Sequence, residues 1–143
     1  GAFGLVIANN ASISGAEGGC QAEVGSAAAM SAAALVLAAG GTPFQASQAI
    51  CFIIKNMLGL ICDPVAGLVE VPCVKRNAMG ASYAFIAADM ALAGIESKIP
   101  VDEVIDAMYQ VGVSMPTAFR ETAEGGLATT PTGRKLSKEI FGD

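Results

Sequence analysis

The sequence predicts an all-α fold, a bundle of about five to six helices with cysteine-bearing loops. Three observations carry this. Apolar residues recur at helical spacing in most windows, and nothing alternates with period two. The composition is rich in alanine and glycine, which suits helices packed closely through small side chains. Proline and glycine sit where helix starts and stops belong.

The elements follow in order. Residues 1–19 give a short apolar piece, then a polar Gly/Ser/Asn-rich loop over Asn9–Gly19. Residues 21–40 read as a long helix of Ala, Met and Leu, stopped by Gly40-Gly41. The apolar run 27–39 is short of the roughly 20 residues a membrane span needs, so a buried core helix is expected and no membrane contact. Thr42-Pro43-Phe44-Gln45 fits a capping box with proline at the first helical position. Ala46, Ala49, Ile50, Ile53 and Met57 then line one face, with Phe44, Cys51 and Phe52 opposite, so this helix is apolar nearly all round and central. It is expected to end near Leu60. The next helix runs from Cys73 to about Ala93, with Ala78, Ala81, Phe85, Ala88 and Leu92 as its inward face. Gly94 ends it. A further helix opens at Ile99–Glu103 with acids in its first turn, carries Val104, Ile105, Met108 and Val111, and stops at Pro116. A short helical piece at Ala118–Glu124, a Gly125-Gly126 break and a last helix at Pro131–Phe141 complete the chain. No repeat or linker is visible, and residues 1–143 are expected to form a single domain.

Composition narrows the function. With 53% hydrophobic and 15% charged residues, part of the surface is expected to be covered by another segment or chain, and a homo-oligomer is compatible with this. A net charge of −5 without a basic stripe argues against nucleic acid. The absence of histidine removes the commonest general base and metal ligand. Four cysteines with no signal peptide read as thiols of a cytoplasmic protein. Gly1 opens directly into an apolar stretch, so an upstream segment is expected.

The chemistry centres on Leu58–Asn77, LGLICDPVAGLVEVPCVKRN. Pro64 follows Cys62 by two residues and Pro72 directly precedes Cys73, so both thiols are expected at element ends. Cys20 follows the glycine-rich run Gly15–Gly19 and precedes a helix start, where the dipole favours an anion. The separations along Cys20, Cys51, Cys62 and Cys73 are 31, 11 and 11 residues. No close pair exists, which disfavours structural zinc. Cys51 lies mid-helix on an apolar pattern and reads as a core residue. Cys20, Cys62 and Cys73 remain as soft ligands suited to an iron–sulfur centre. Three would leave one iron of a four-iron cluster open, whereas four would close it and suit electron transfer. Arg76 and Asn77, beside Cys73, are candidate substrate contacts, Arg76 for a carboxylate. Asp63 is a third candidate substrate contact, or else an orienting group or turn residue. Glu17 and Glu23 flank Cys20 as helix-start acids. Ser12, Ser14 and Asn10 line the upstream loop.

The segments SGAEGGCQAEVG (14–25), KNMLGLICDPVAGLVEVPCVKRNAMGA (55–81) and ETAEGGLATTPTGRKL (121–136) resemble the α chain of the iron–sulfur-dependent L-serine dehydratases. The resemblance spans essentially the whole chain. It implies a helical catalytic domain, here its C-terminal part, holding a [4Fe–4S] cluster through Cys20, Cys62 and Cys73, with Cys51 outside that set. It implies conversion of L-serine to pyruvate and ammonia without pyridoxal phosphate, the open iron acting as a Lewis acid on the substrate's hydroxyl and carboxylate. It implies a β chain as partner, carrying further substrate contacts. The general base is not visible among these residues, so this chain alone is expected to be inactive. Single-chain relatives end in a cysteine, whereas this chain ends Phe141-Gly142-Asp143. Two readings of other classes stand beside the lyase. One is a helical interaction module whose thiols are core residues. The other is a closed four-cysteine electron-transfer protein.

Overall fold

The computed structural model describes residues 1–142. It contains seven helices and, among the described residues, no strand. They are α1 (Ala2–Asn10), α2 (Gly15–Gly18), α3 (Ser26–Ala38), α4 (Pro43–Met57), α5 (Cys73–Leu92), α6 (Val101–Ser114) and α7 (Pro131–Phe141). The all-α expectation holds, with one or two more helices than the sequence pattern suggested.

The extra helices come from the N-terminal segment. The expected loop over Asn9–Gly19 is partly helical: α1 runs to Asn10, and Gly15–Gly18 forms a single turn. Ser14 precedes that turn in extended geometry, and the Gly18 N–H donates to the Ser14 carbonyl. The polar composition that read as loop here closes a short helix through backbone bonds.

α3 and α4 form the core with α5. The chain enters α3 through a π-helical turn, Gln21–Gly25. Such a wide turn is rare and often marks a functional site. The span Gln21–Ala38 is long and apolar enough to cross a membrane, but 56% of it is buried inside this fold, against α4 and α5. It is the expected core helix. The Thr42 capping box forms as the sequence indicates: the Thr42 hydroxyl oxygen accepts from the Gln45 backbone N–H at 3.2 Å, and the Gln45 side-chain Oε1 accepts from the Thr42 N–H at 2.9 Å. α4 buries Ala46, Ala49, Ile50, Cys51, Phe52, Ile53, Ile54 and Met57, whereas Phe44 stays exposed. The helix stops at Met57, three residues before the expected Leu60.

α5 corrects one expectation. Its inward face is Gly80, Ala84, Ala87, Ala88 and Ala91, about a quarter-turn away from the face read from the sequence. Ala78, Ala81 and Phe85 are exposed, and Leu92 is half-buried. The reason is spacing. α3 presents Ala28, Ala29, Ala32 and Ala33, so α5 approaches closely and only small side chains fit between them. A Cβ on Gly80 would lie 3.0 Å from Val24 Cγ1. The bulky Met79, Phe85 and Ile86 are therefore turned outward.

α6 buries Val104, Ile105, Met108 and Gly112, close to its expected stripe. The short helix expected at 118–124 is instead a 3-10 turn at Thr117–Phe119 followed by bends, with Glu121 and Ala123 at positive φ. A second 3-10 turn, Gly126–Thr129, leads into α7.

Candidate metal centre

Each thiol is placed by a different device. Cys20 lies between Gly19 and the π-helical turn. Gly19 has φ +75°, and a Cβ there would lie 2.9 Å from the Leu60 carbonyl oxygen, so only glycine brings these two segments together. Gln21 then locks the contact. Its N–H donates to the Leu60 carbonyl at 2.9 Å, its side-chain oxygen accepts from the Gly59 N–H at 3.0 Å, and its Nε2 donates to the Met108 carbonyl at 2.9 Å.

Cys62 sits in an extended stretch pinned by the tail. Its N–H donates to the Phe119 carbonyl at 2.8 Å, and its carbonyl accepts from the Glu121 N–H at 2.9 Å. These bonds form an isolated parallel bridge between Cys62 and Arg120. Cys73 opens α5, directly after Pro72, as the proline spacing implied.

All four cysteines are free and buried. The Cys20 and Cys62 sulfurs and a Glu23 carboxylate oxygen lie within 4.8 Å of one another. Gly15 closes one side of this group. A Cβ on Gly15 would lie 2.8 Å from Glu23 Oε2 and 3.1 Å from Cys62 Sγ, so only glycine lets the backbone pack this closely against the carboxylate and the sulfur. Burial, then the neighbouring Cys20 thiol, pushes the Cys62 thiol far above its ordinary range. Burial, then Cys20, also pushes the Cys73 thiol up. Cys73 stands outside that close group, but it and Cys62 are both disfavoured as thiolates by burial and by Cys20. A bound cation reverses that preference. Cys51 stands elsewhere, on α4 beside Ser97 and Lys55, with its pKa raised chiefly by burial.

The candidate substrate residues separate on inspection. Arg76 Nη1 donates to Asp63 Oδ1 at 2.8 Å and to the Ile61 carbonyl at 2.9 Å, and lies 3.7 Å from Cys20 Sγ. Asp63 is buried, and its second oxygen accepts from the Leu127 N–H at 2.7 Å. Both Asp63 oxygens are thus engaged within the protein. The carboxylate fastens the Cys62 loop to α5 on one side and to the Gly126 turn on the other. Burial works against the Arg76 charge, but Asp63 and Cys20 outweigh it and raise the guanidinium pKa. The Arg76 bonds all use Nη1. A 520 Å³ cleft lined by Val24, Met57, Leu60, Pro72 and Arg76 opens beside it. Asn77 is exposed, and its Nδ2 donates back to the Cys73 carbonyl at 3.0 Å.

Three residues of this network carried weak sequence signals. Glu23 read as a helix-start acid, yet its carboxylate reaches the thiols. Gly15 read only as the first residue of the glycine-rich run before Cys20. Gly126, at φ +61°, has no room for a Cβ, which would collide with the Asp63 carboxylate. The Gly125-Gly126 pair was the available hint of that close approach.

Residues 1–128 match the family described as serine dehydratase alpha chain. The chain belongs to this family. It is 75% identical over 142 residues to a probable L-serine dehydratase, alpha chain, of Bacillus subtilis, covering 99% of this chain and 47% of that protein. It is 58% identical over 139 residues to the L-serine dehydratase, alpha chain, of Peptoniphilus asaccharolyticus, covering 97% of this chain and 48% of that protein. An Escherichia coli L-serine dehydratase 1 is 49% identical over 129 residues, which is 90% of this chain and 28% of that protein. The chain spans about half the length of the two alpha chains.

Proposed function

We propose that this chain is the thiol-bearing part of a lyase that deaminates L-serine to pyruvate and ammonia without pyridoxal phosphate, its Cys20, Cys62 and Cys73 holding a [4Fe–4S] cluster. The observation that supports the reading is the close approach of the buried Cys20 and Cys62 sulfurs. The donor set fits the cluster. Thiolates are its usual ligands, there is no histidine in the chain to compete, and Cys73 is electrostatically coupled to Cys20. When bound through three cysteines, the cluster supplies a Lewis-acidic iron with an open position for a substrate hydroxyl and carboxylate.

The chain's own residues bind and orient. Arg76, held by Asp63, offers its remaining N–H groups to the substrate carboxylate from the adjoining cleft. Asp63 positions Arg76 and does not itself touch substrate. Asn77, on the next turn edge, has the least support as a contact, since its amide is turned to Cys73. The α-proton goes to a base outside this chain, for which the β chain is the proposed source. Residues 1–143 act as one unit, the C-terminal part of the α-chain catalytic domain, in the cytoplasm, and are inactive alone.

A second reading has one observation in its favour. The grouping of Glu23 with Cys20 and Cys62 suits a single metal ion on two thiolates and a carboxylate. Activity of the complete enzyme separates the two. Cys73→Ser should abolish pyruvate formation from L-serine if the cluster reading holds. Full activity of Cys73→Ser, with loss in Glu23→Gln, would favour the single ion.

A further inference from the structure

α7 is an amphipathic helix whose apolar side is left open among the described residues. Leu136 and Ile140, four positions apart and so on one side, are 36% and 52% exposed. Leu127, on the turn that leads into α7, is exposed as well. Of the α7 residues only Gly133 is buried. A helix of 11 residues is too short to hold itself in water, and helices in proteins draw most of their stability from packing an apolar face. The start of α7 is nevertheless fixed. Pro131 opens it, the Thr130 hydroxyl oxygen accepts from the Gly133 N–H at 3.1 Å, and Arg134 Nε donates to the Thr129 carbonyl at 3.0 Å. Gly133 lies against the Leu127 and Ala128 carbonyls with no room for a Cβ. The helix is thus held at its base while its apolar side meets solvent. Arg134, Lys135 and Lys138 lie away from that side, three of the chain's eight cationic residues within five positions, in a chain of net charge −5.

The relatives divide at this helix. The family match ends at residue 128, before α7 begins. The Bacillus subtilis and Peptoniphilus asaccharolyticus alpha chains align over 142 and 139 residues, and so take in α7. The Escherichia coli L-serine dehydratase 1, named without a chain designation, aligns over 129 residues, a shortfall the size of the stretch that the family match leaves out. It is also the longer polypeptide, since those 129 residues are 28% of it, whereas 142 residues are 47% of the Bacillus subtilis chain. We propose that α7 is the segment by which this chain holds a separate β chain, its Leu136–Ile140 side seated in an apolar groove of that partner rimmed by acidic residues. The inference rests on the β-chain pairing proposed above. Two parts joined in one polypeptide stay at high effective concentration and need no such anchor, whereas separate chains are held by contact alone. The mode is a helix laid in a groove, with anchors at i and i+4, and the cations steer the encounter and fix its register.

The test measures the dissociation constant between the complete α chain and the separately purified β chain by analytical ultracentrifugation. Leu136→Ser combined with Ile140→Ser should weaken association at least about tenfold, since both lose apolar area that the partner covers. Lys138→Glu should weaken it at low salt and have less effect at high salt. Ile140→Ser, at the more exposed of the two anchors, should leave the urea midpoint of the complete α chain alone at its wild-type value. Unchanged affinity in the double serine variant would overturn the proposal. So would a lower midpoint for Ile140→Ser in the α chain alone, which would place the face inside that chain. Loss of α-chain self-association in the double variant with β-chain affinity intact would make the occupant a second copy and would also overturn it. Loss of binding to phosphatidylglycerol vesicles with β-chain affinity intact would do the same in favour of a lipid surface. Failure of the wild-type α chain to associate with the β chain at all would overturn the pairing itself, and this inference with it.

Discussion

Asp63→Asn is the most informative single change in this chain. The wild-type carboxylate is buried and accepts two bonds, from Arg76 Nη1 at 2.8 Å and from the Leu127 N–H at 2.7 Å. Asparagine has the same volume but only one accepting atom. Whichever partner its oxygen keeps, its NH₂ faces the other donor. One bond is lost and one buried donor is left facing a donor, which costs about 1–3 kcal/mol. The Arg76 charge also loses its carboxylate. That guanidinium side chain is 19% exposed, so water recovers part of the loss, and the full 3–5 kcal/mol for breaking a buried pair does not apply. The net expectation is about 2–3 kcal/mol of destabilisation. Urea unfolding of the metal-free protein, followed by far-ultraviolet circular dichroism, reads this directly. Arg76→Met should cost a similar amount, because it strands the Asp63 charge. The double variant should cost less than the sum of the two, the mark of a shared interaction. A midpoint for Asp63→Asn within about 0.5 kcal/mol of wild type, the range of an ordinary surface change, would refute the latch.

The remaining predictions address separate parts of the molecule. Gly126→Ala should destabilise by about 1–3 kcal/mol or more, because φ is +61° and the new Cβ meets the Asp63 carboxylate. Its unfolding midpoint should fall at least as far as that of Asp63→Asn. Thr42→Ala removes one side of the capping box and should cost about 1 kcal/mol by the same assay, with no effect on metal content. Burial holds the Cys51 thiol neutral in the folded state, raising its pKa. The unfolded chain begins to lose that proton near about pH 8.5. The stability from Cys51 is therefore complete below that pH and falls as pH rises above it. Cys51 should resist iodoacetamide at pH 8 until denaturant is added, and mass spectrometry of the labelled protein would show it.

The legible parts of the fold were those with local punctuation. Thr42-Pro43 and Gln45 specify a helix start through short-range bonds, and Pro131 and Gly94 act as equally local signals. Leu58–Asn77 announced its two thiols through the prolines beside them. What was hidden depends on distance between elements. The inward face of α5 is chosen by the alanines of α3, so a count of large apolar residues pointed to the wrong side. The helical character of Gly15–Gly18 arises from backbone bonds that any composition can make. Asp63 looked like a turn residue because both of its partners, Arg76 and Leu127, lie 13 and 64 residues away. Arg120 carried no signal at all, since its place is set by the bridge to Cys62.

The central claim is that three thiols of this chain hold a four-iron cluster and that the fourth does not. It is tested most directly by measuring iron and acid-labile sulfide per chain after anaerobic reconstitution of the complete enzyme, beside Cys20→Ser, Cys51→Ser, Cys62→Ser and Cys73→Ser. The account predicts a four-iron, four-sulfide cluster in the wild type and in Cys51→Ser, with severe loss in the other three. Metal bound without sulfide, or a cluster as dependent on Cys51 as on Cys62, would contradict it.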